Sequence, residues 1–273
     1  MSIEKRENMI TPDTKKYWKN LAQIPWSKRG EIRTKLVPWI YTNDHKFDEL
    51  IPKIHLALNT QNRSGKPRAA VLSGVGSILN IAPWIDVDFF VSVDRNSFIL
   101  DQVRRMVQNV QDASTVQEYD QIDQRETMFA DLAAMGSDPK PYFDIERESF
   151  SLWHFTKSHD LYQLAKKRMT ETPVYYTQGN FAHRPYVQAL GQALDGVDVT
   201  YASFTDLGEW SPEFLDVAHY LPTIADSVIV WSTNQGQPEG KPLARMSIGL
   251  DQYISQQTEA LVGNDVKYFQ SHI

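Results

Sequence analysis

Chemistry in this chain is most legible at "LSGVGS" (residues 72–77) and at the acid of "VSVDRN" (91–96), which follows about 20 residues after the glycines. Two glycines one residue apart let a backbone turn tightly and let a ligand approach without meeting a side chain. With a strand ending at Ser73 and a helix beginning past Gly76, the first amides of that helix can donate to the ligand. A carboxylate at the end of the next strand, where Asp94 falls, can accept from both hydroxyls of a ribose at once. The same glycines also suit a strand-to-helix turn with no ligand, and the sequence leaves both uses open.

The loop discriminates between cofactors. A dinucleotide fingerprint places a third glycine three residues after the second, for close helix packing and pyrophosphate approach. That position is Leu79. A cofactor without a pyrophosphate needs no glycine there, so the pattern points from NAD toward S-adenosylmethionine.

Two further residues are candidates for catalysis. His183 follows a strand-like segment, with Arg184 and Tyr186 close by, and is either a base or a structural histidine. Asp206 falls at the carboxyl end of another expected strand, where functional groups gather in open sheets, and equally suits a turn cap ahead of Gly208. His159 reads as part of a helix start and His219 as a residue within a helix. The chain has no His-Glu-x-x-His pattern, no cysteine pair and no Gly-x-Ser-x-Gly elbow, so neither a metal nor a hydrolase triad is indicated.

The elements that must position these groups alternate. "RAAVLS" reads as a buried strand and "GVGSILNIA" as a turn running into a helix. "DFFVSVD" is a second buried strand, and "NSFILDQVRRMVQNVQ" is an amphipathic helix with Ile99, Val103, Met106, Val107 and Val110 on one face. Further on, "SHDLYQLAKKRM" is a helix capped by Ser158, "PVYYTQGNF" a strand and "RPYVQALGQAL" a helix. "DVTYASFTDL" is a strand, "SPEFLDVAHYLPTI" a helix capped by Ser211, "DSVIVWST" a strand and "DVKYFQSHI" the last one. Such alternation indicates an α/β fold with a doubly wound, mostly parallel sheet.

Residues 1–66 form an N-terminal helical region, in which Pro25 and Pro38 should end or kink helices and "DELIPKIHLAL" repeats apolar residues every fourth position. Its junction with the main domain, 67–273, is the polar loop "NTQNRSGKPR", and a helical insertion occupies about 111–172. Lys15, Lys16, Lys19, Lys28, Arg29, Arg33 and Lys35 lie among Trp18, Trp26 and Trp39. This mixture either clamps an acidic or aromatic acceptor, lies on a membrane surface, or forms a lid whose tryptophans pack while its lysines stay solvated.

Composition narrows the classes. The 273 residues are 41% hydrophobic and 23% charged with net charge −6, which suits a globular protein and argues against a whole-surface affinity for nucleic acid. Without cysteine, disulfides, cysteine–zinc sites and cysteine nucleophiles are excluded. "MSIEKRENMITPDTKK" lacks the apolar core of a signal peptide, and the longest apolar stretch, Ala69 to Ile85, is interrupted by polar residues and short for a span. A cytoplasmic protein without a transmembrane segment is expected.

From about Arg68 onward, the order of elements resembles the class I S-adenosylmethionine-dependent methyltransferases, a Rossmann-like, three-layer αβα family. "VLSGVGS" looks like the family's glycine loop, "VSVDRN" like its ribose-binding acid, and "VYYTQGNF" like its third strand, which often ends in Gly-Asp beside the adenine. The resemblance implies a cofactor site of Ser73, Gly74, Gly76, Asp94, Arg95, Gly179, Asn180 and Ser203, with Asp206 and His183 on the reacting side. Ser73 stands where members often carry an acid, and Asn180 replaces the aspartate of the pair. The long insertion, "VDRN" and the serine-bearing fourth strand also resemble the 3-amino-3-carboxypropyl transferases, which use the same cofactor. The expected activity is methyl transfer to a small-molecule acceptor, an in-line displacement in which the protein aligns the acceptor and excludes water. The alternatives are aminocarboxypropyl transfer, an NAD-dependent oxidoreductase and a non-catalytic binding member of the fold.

Overall fold

A computed structural model of the chain describes residues 11–34, 68–74, 77–122, 154–204, 217, 220–221, 225–233, 245–246 and 268–270. Residues 59–67 of the expected boundary loop, the helix expected in "DELIPKIHLAL", residues 123–153 of the insertion and most of the helix expected after Ser211 lie outside the described residues.

Strands form where the apolar residues run without a break. β1 (Ala69–Ser73) and β2 (Phe89–Asp94) pair in parallel, and β3 (Val174–Gln178) pairs in parallel with β2. On the other side of β1 lie β4 (Val197–Phe204) and then β5 (Ala225–Thr233), both parallel to it. β6 (Arg245–Met246) and β7 (Tyr268–Gln270) both add to β5 antiparallel. The strand order is β3-β2-β1-β4-β5-β6, so the chain runs outward from β1 to β3 and restarts on the opposite side with β4. In open parallel sheets such a reversal is where ligands bind, beyond the carboxyl ends of the strands, here those of β1 and β4.

Both faces of the sheet are covered, which is why its strands read as continuous apolar runs rather than alternations. On one face Ala70, Leu72, Phe90, Val199 and Tyr201 pack under α2 (Ser77–Ile81), α3 (Ser97–Asp112) and α5 (His159–Glu171). The five residues expected on one stripe of α3 are all buried there, each contributing about 1.5–3 kcal/mol relative to exposure. Asn96 caps α3 by accepting from the Phe98 N–H at 3.0 Å, and Ser158 caps α5 by accepting from the Leu161 N–H at 3.2 Å. Tyr119, from the short α4 (Val116–Ile122), joins Phe155 and Tyr162 in a cluster of rings that closes this face. α2 is only five residues long because Pro83 follows, and the chain continues as a 3₁₀ turn over Ala82–Trp84.

On the opposite face Ala69, Val71, Phe89, Val91, Val93 and Val197 pack under α1 (Pro12–Ala22) and α6 (Arg184–Leu194). α1 therefore belongs to the core of the sheet: Leu21 is fully buried and Tyr17 stacks on Phe89 with ring centroids 5.9 Å apart. Lys15, Lys16, Lys19 and Lys28 are exposed, whereas Trp18 leans on Tyr175 at 5.4 Å. Trp26 instead stands in solvent, 64% exposed. No helix among the described residues is long and apolar enough to cross a membrane.

Candidate functional site

The registers of the central strands place the candidate residues on one level. Ser73 pairs with Val93, Asp94 with Gln178, and Leu72 with Tyr201. Continued past the paired residues, one residue further on β1 and two further on β4, these registers bring Gly74 and Ser203 toward the level of Asp94 and Gln178, a row across four neighbouring strands. At about 4.8 Å per strand step the row is roughly 14 Å long. It lies at the carboxyl ends, beside the reversal of strand order.

Gly74 opens the loop after β1 with φ of +90°, a conformation that an L side chain resists. Ser73 before it is buried. Gly76 lies outside the described residues, as does Asp206; Ser203 is placed by its backbone alone. Leu79, at the place of a dinucleotide loop's third glycine, is fully buried in the core and leaves no close approach at that point.

Asp94 ends β2 and folds its side chain back along the chain. Oδ1 accepts from the Asn96 N–H at 2.7 Å, and the Arg95 N–H also bonds to the carboxylate. Burial pushes its pKa up to about 6, against the opposing pull of those two amides and of the Arg95 guanidinium. Two backbone donors use only part of what a carboxylate can accept, so a half-buried acceptor with spare capacity sits at the centre of the row.

Arg95 is half-buried, and its pKa is lowered by burial and by the neighbouring Arg33, with Glu31 and Asp94 acting in the opposite sense. Glu31 faces both arginines, 3.1 Å from Arg33 Nε and 3.9 Å from Arg95 Nη1, and is held below the usual carboxylate range chiefly by the Arg33 hydrogen bond.

At the end of β3 the chain's own groups take up the space expected for a ligand. A Cβ on Gly179 would lie 2.2 Å from Cζ of Tyr186, so the glycine makes room for that ring. The Asn180 side-chain oxygen, expected near an adenine, accepts from the Ala182 N–H at 2.9 Å, and the Asn180 N–H donates to the Arg29 carbonyl at 2.8 Å. His183 occupies the cap position of α6 and packs against Gly30, leaving it a docking surface for residues 29–30.

Residues 29–33 were legible only as part of a basic, aromatic-rich stretch. Arg29, counted there among the cations, is buried at 7% exposure. Its Nε and Nη2 donate to the Ile24 carbonyl just past the end of α1, and Nη1 donates to Thr177 Oγ1 at 3.0 Å and to the Gln178 carbonyl at 2.5 Å. Thr177 Oγ1 lies 3.2 Å from the Tyr186 hydroxyl, extending this polar chain beneath Gly179. The guanidinium thus ties the end of α1 to the end of β3, with the Trp26 ring over its outer side at 4.6 Å. Four residues on, Arg33 runs beside the end of β2: its N–H donates to the Arg95 carbonyl at 2.8 Å, and its carbonyl accepts from the Ser97 N–H at 3.0 Å. Gln178 clamps both segments, its Nε2 donating to the Arg33 and Arg95 carbonyls at 2.9 and 3.1 Å.

Among the described residues no group of histidine, aspartate and glutamate could hold a metal ion. No protein-family model matches the chain, and no curated protein matches it.

Proposed function

We propose that the chain is an S-adenosylmethionine-dependent transferase, a methyltransferase acting on a small-molecule acceptor, built on a three-layer, doubly wound Rossmann-like domain. The observation that carries this reading is the row: a glycine in the left-handed region, a half-buried carboxylate with spare acceptor capacity and the end of β4 lie side by side at the reversal of strand order. A ribose suits this carboxylate, because two hydroxyl donors would supply the hydrogen bonds that burial has taken from it. Gly74 would bring the backbone of the loop against the cofactor, while Ser203 and Asp206, at and beyond the end of β4, would face the acceptor. The cofactor supplies an activated methyl group; the protein aligns the acceptor's nucleophile with it, excludes water and, where that nucleophile carries a proton, offers a base. Asp206 suits that last role better than His183, whose ring packs on Gly30. Aminocarboxypropyl transfer uses the same cofactor groups and would be told apart by the mass of the modified acceptor.

The hold of Arg29 on the Asn180 N–H favours a second reading, a non-catalytic binding member of the same fold, because it takes a backbone donor that an adenine would use. The buried Leu79 speaks against a dinucleotide. Calorimetric titration with S-adenosylmethionine, S-adenosylhomocysteine and NAD separates the three. Binding of the first two supports the transferase, binding of NAD alone overturns it, and binding of none leaves the non-catalytic reading.

A further inference from the structure

Every polar backbone group by which residues 29–33 hold the carboxyl ends of β2 and β3 lies within three residues of the row or of Asn180. The Asn180 N–H goes to the Arg29 carbonyl, the Arg95 carbonyl receives the Arg33 N–H, and the Ser97 N–H goes to the Arg33 carbonyl. The Gln178 side chain, level with Asp94, is spent on the Arg33 and Arg95 carbonyls. A ligand that reaches Asp94 and extends toward β3 meets these groups with their bonds already made.

The two ends of the segment are fastened differently. Arg29 is held through its buried guanidinium, which is bonded to three residues, whereas Arg33 is held through its backbone while its side chain and that of Glu31 stay largely exposed. Ion pairs as exposed as these hold weakly. Between the two ends is Gly30, at φ of +71° and in tight contact with His183.

We propose that residues 29–33 are an autoinhibitory strap: anchored by Arg29 and hinged at Gly30, they lie across the β3 side of the ligand edge and must lift at residues 31–33 for a nucleoside-bearing ligand to bind along it. This rests on the transferase reading above and adds a conformational step to it. Ligand affinity is then reduced by the fraction of molecules whose strap is open, and loosening the strap raises it.

Gly30→Ala tests the sign. Its new Cβ would lie 2.8 Å from the His183 Cβ, an atom fixed to its backbone, and the left-handed φ adds strain, so the variant disfavours the closed strap. Calorimetry with S-adenosylhomocysteine should show Gly30→Ala binding about tenfold tighter than the unmodified chain. Amide exchange of the unmodified chain should show the Arg33 and Ser97 N–H groups losing protection when the ligand saturates it. A strap that is instead a fixed wall of the site gives the opposite on both counts: weaker binding by the variant and stronger protection on binding. Either opposite result overturns the strap while leaving the cofactor assignment intact. Should Gly30→Ala fail to fold, Glu31→Gln loosens the same segment at an exposed position and should tighten binding about twofold, with unchanged or weaker binding overturning the proposal. Binding by neither the unmodified chain nor a folded variant removes the cofactor assignment and the strap together.

Discussion

Replacing Asp94 by asparagine should stabilise the protein at neutral pH and leave its stability unchanged or lower, by no more than about 2 kcal/mol, near pH 4. The carboxyl of Asp94 titrates at about 6 in the folded protein against an ordinary 3.8, because burial disfavours its charged form. A raised carboxyl pKa means that the folded state holds its proton longer than the unfolded chain does. The stabilising proton is fully present below about pH 4, and its contribution is lost as pH rises through 6. At ~1.4 kcal/mol per pH unit, a shift from 3.8 to about 6 makes ionisation cost the fold about 3 kcal/mol at pH 8. Asparagine keeps an oxygen to accept the Asn96 N–H and cannot ionise, so it escapes that cost. Its amide NH2 needs a partner in return, which brings the expected gain at pH 8 to about 1–3 kcal/mol. Urea denaturation of both proteins between about pH 4 and pH 8 isolates the effect, since every other group titrates in both. A difference that is flat with pH, or one that grows in favour of aspartate as pH rises, would refute the proton-retaining carboxyl.

Ligand binding should follow the same proton in the opposite sense. Ribose hydroxyls are best accepted by the ionised carboxylate, so the affinity for S-adenosylhomocysteine should fall below pH 6, by up to about tenfold per unit, and calorimetry across that range reads it. Arg29→Ala should destabilise by about 2–4 kcal/mol, because the Ile24 and Gln178 carbonyls and the Thr177 hydroxyl lose their donor in a buried setting. Arg29→Lys should recover only part of that in denaturant melts, since an ammonium cannot reproduce the fork. Gly179→Ala should cost about 2–4 kcal/mol and lower the melting temperature, because the added methyl meets the Tyr186 ring at 2.2 Å and that buried ring is held through Thr177. An unperturbed melt would mean that Tyr186 does not fill the space beside Gly179.

What the sequence reveals here is what local periodicity carries. "RAAVLS" and "DFFVSVD" read as buried strands and contain β1 and β2, each starting one residue later; the stripe of Ile99, Val103, Met106, Val107 and Val110 is the buried face of α3; "RPYVQALGQAL" is α6 to the residue. Two-residue β6 carries no such signal. The candidate site divides along the same line. Asp94 and Gly74 sit at strand ends, where order along the chain suffices to place them. Gly179 shows why the rest was hidden: a glycine that admits a ligand and one that admits a tyrosine seven residues later are the same letter, and only the fold shows that Tyr186 takes the space. Arg29 reads as a surface cation among lysines because its acceptors, the carbonyls of Ile24 and Gln178 and the hydroxyl of Thr177, are assembled by docking α1 on β3. The strap likewise depends on contacts more than 60 residues apart, between Arg33 and residues 95–97, that no pattern in either segment announces.

Equilibrium dialysis with labelled S-adenosylmethionine, comparing the unmodified chain with Asp94→Ala at about pH 8, is the measurement that bears most directly on the proposed site. One mole of cofactor bound per mole of protein, with affinity at least tenfold weaker in the folded variant, is expected from two hydroxyl hydrogen bonds to a carboxylate at about 1.5 kcal/mol or more together. Equal affinity in the two proteins, or no binding by either, would contradict the account.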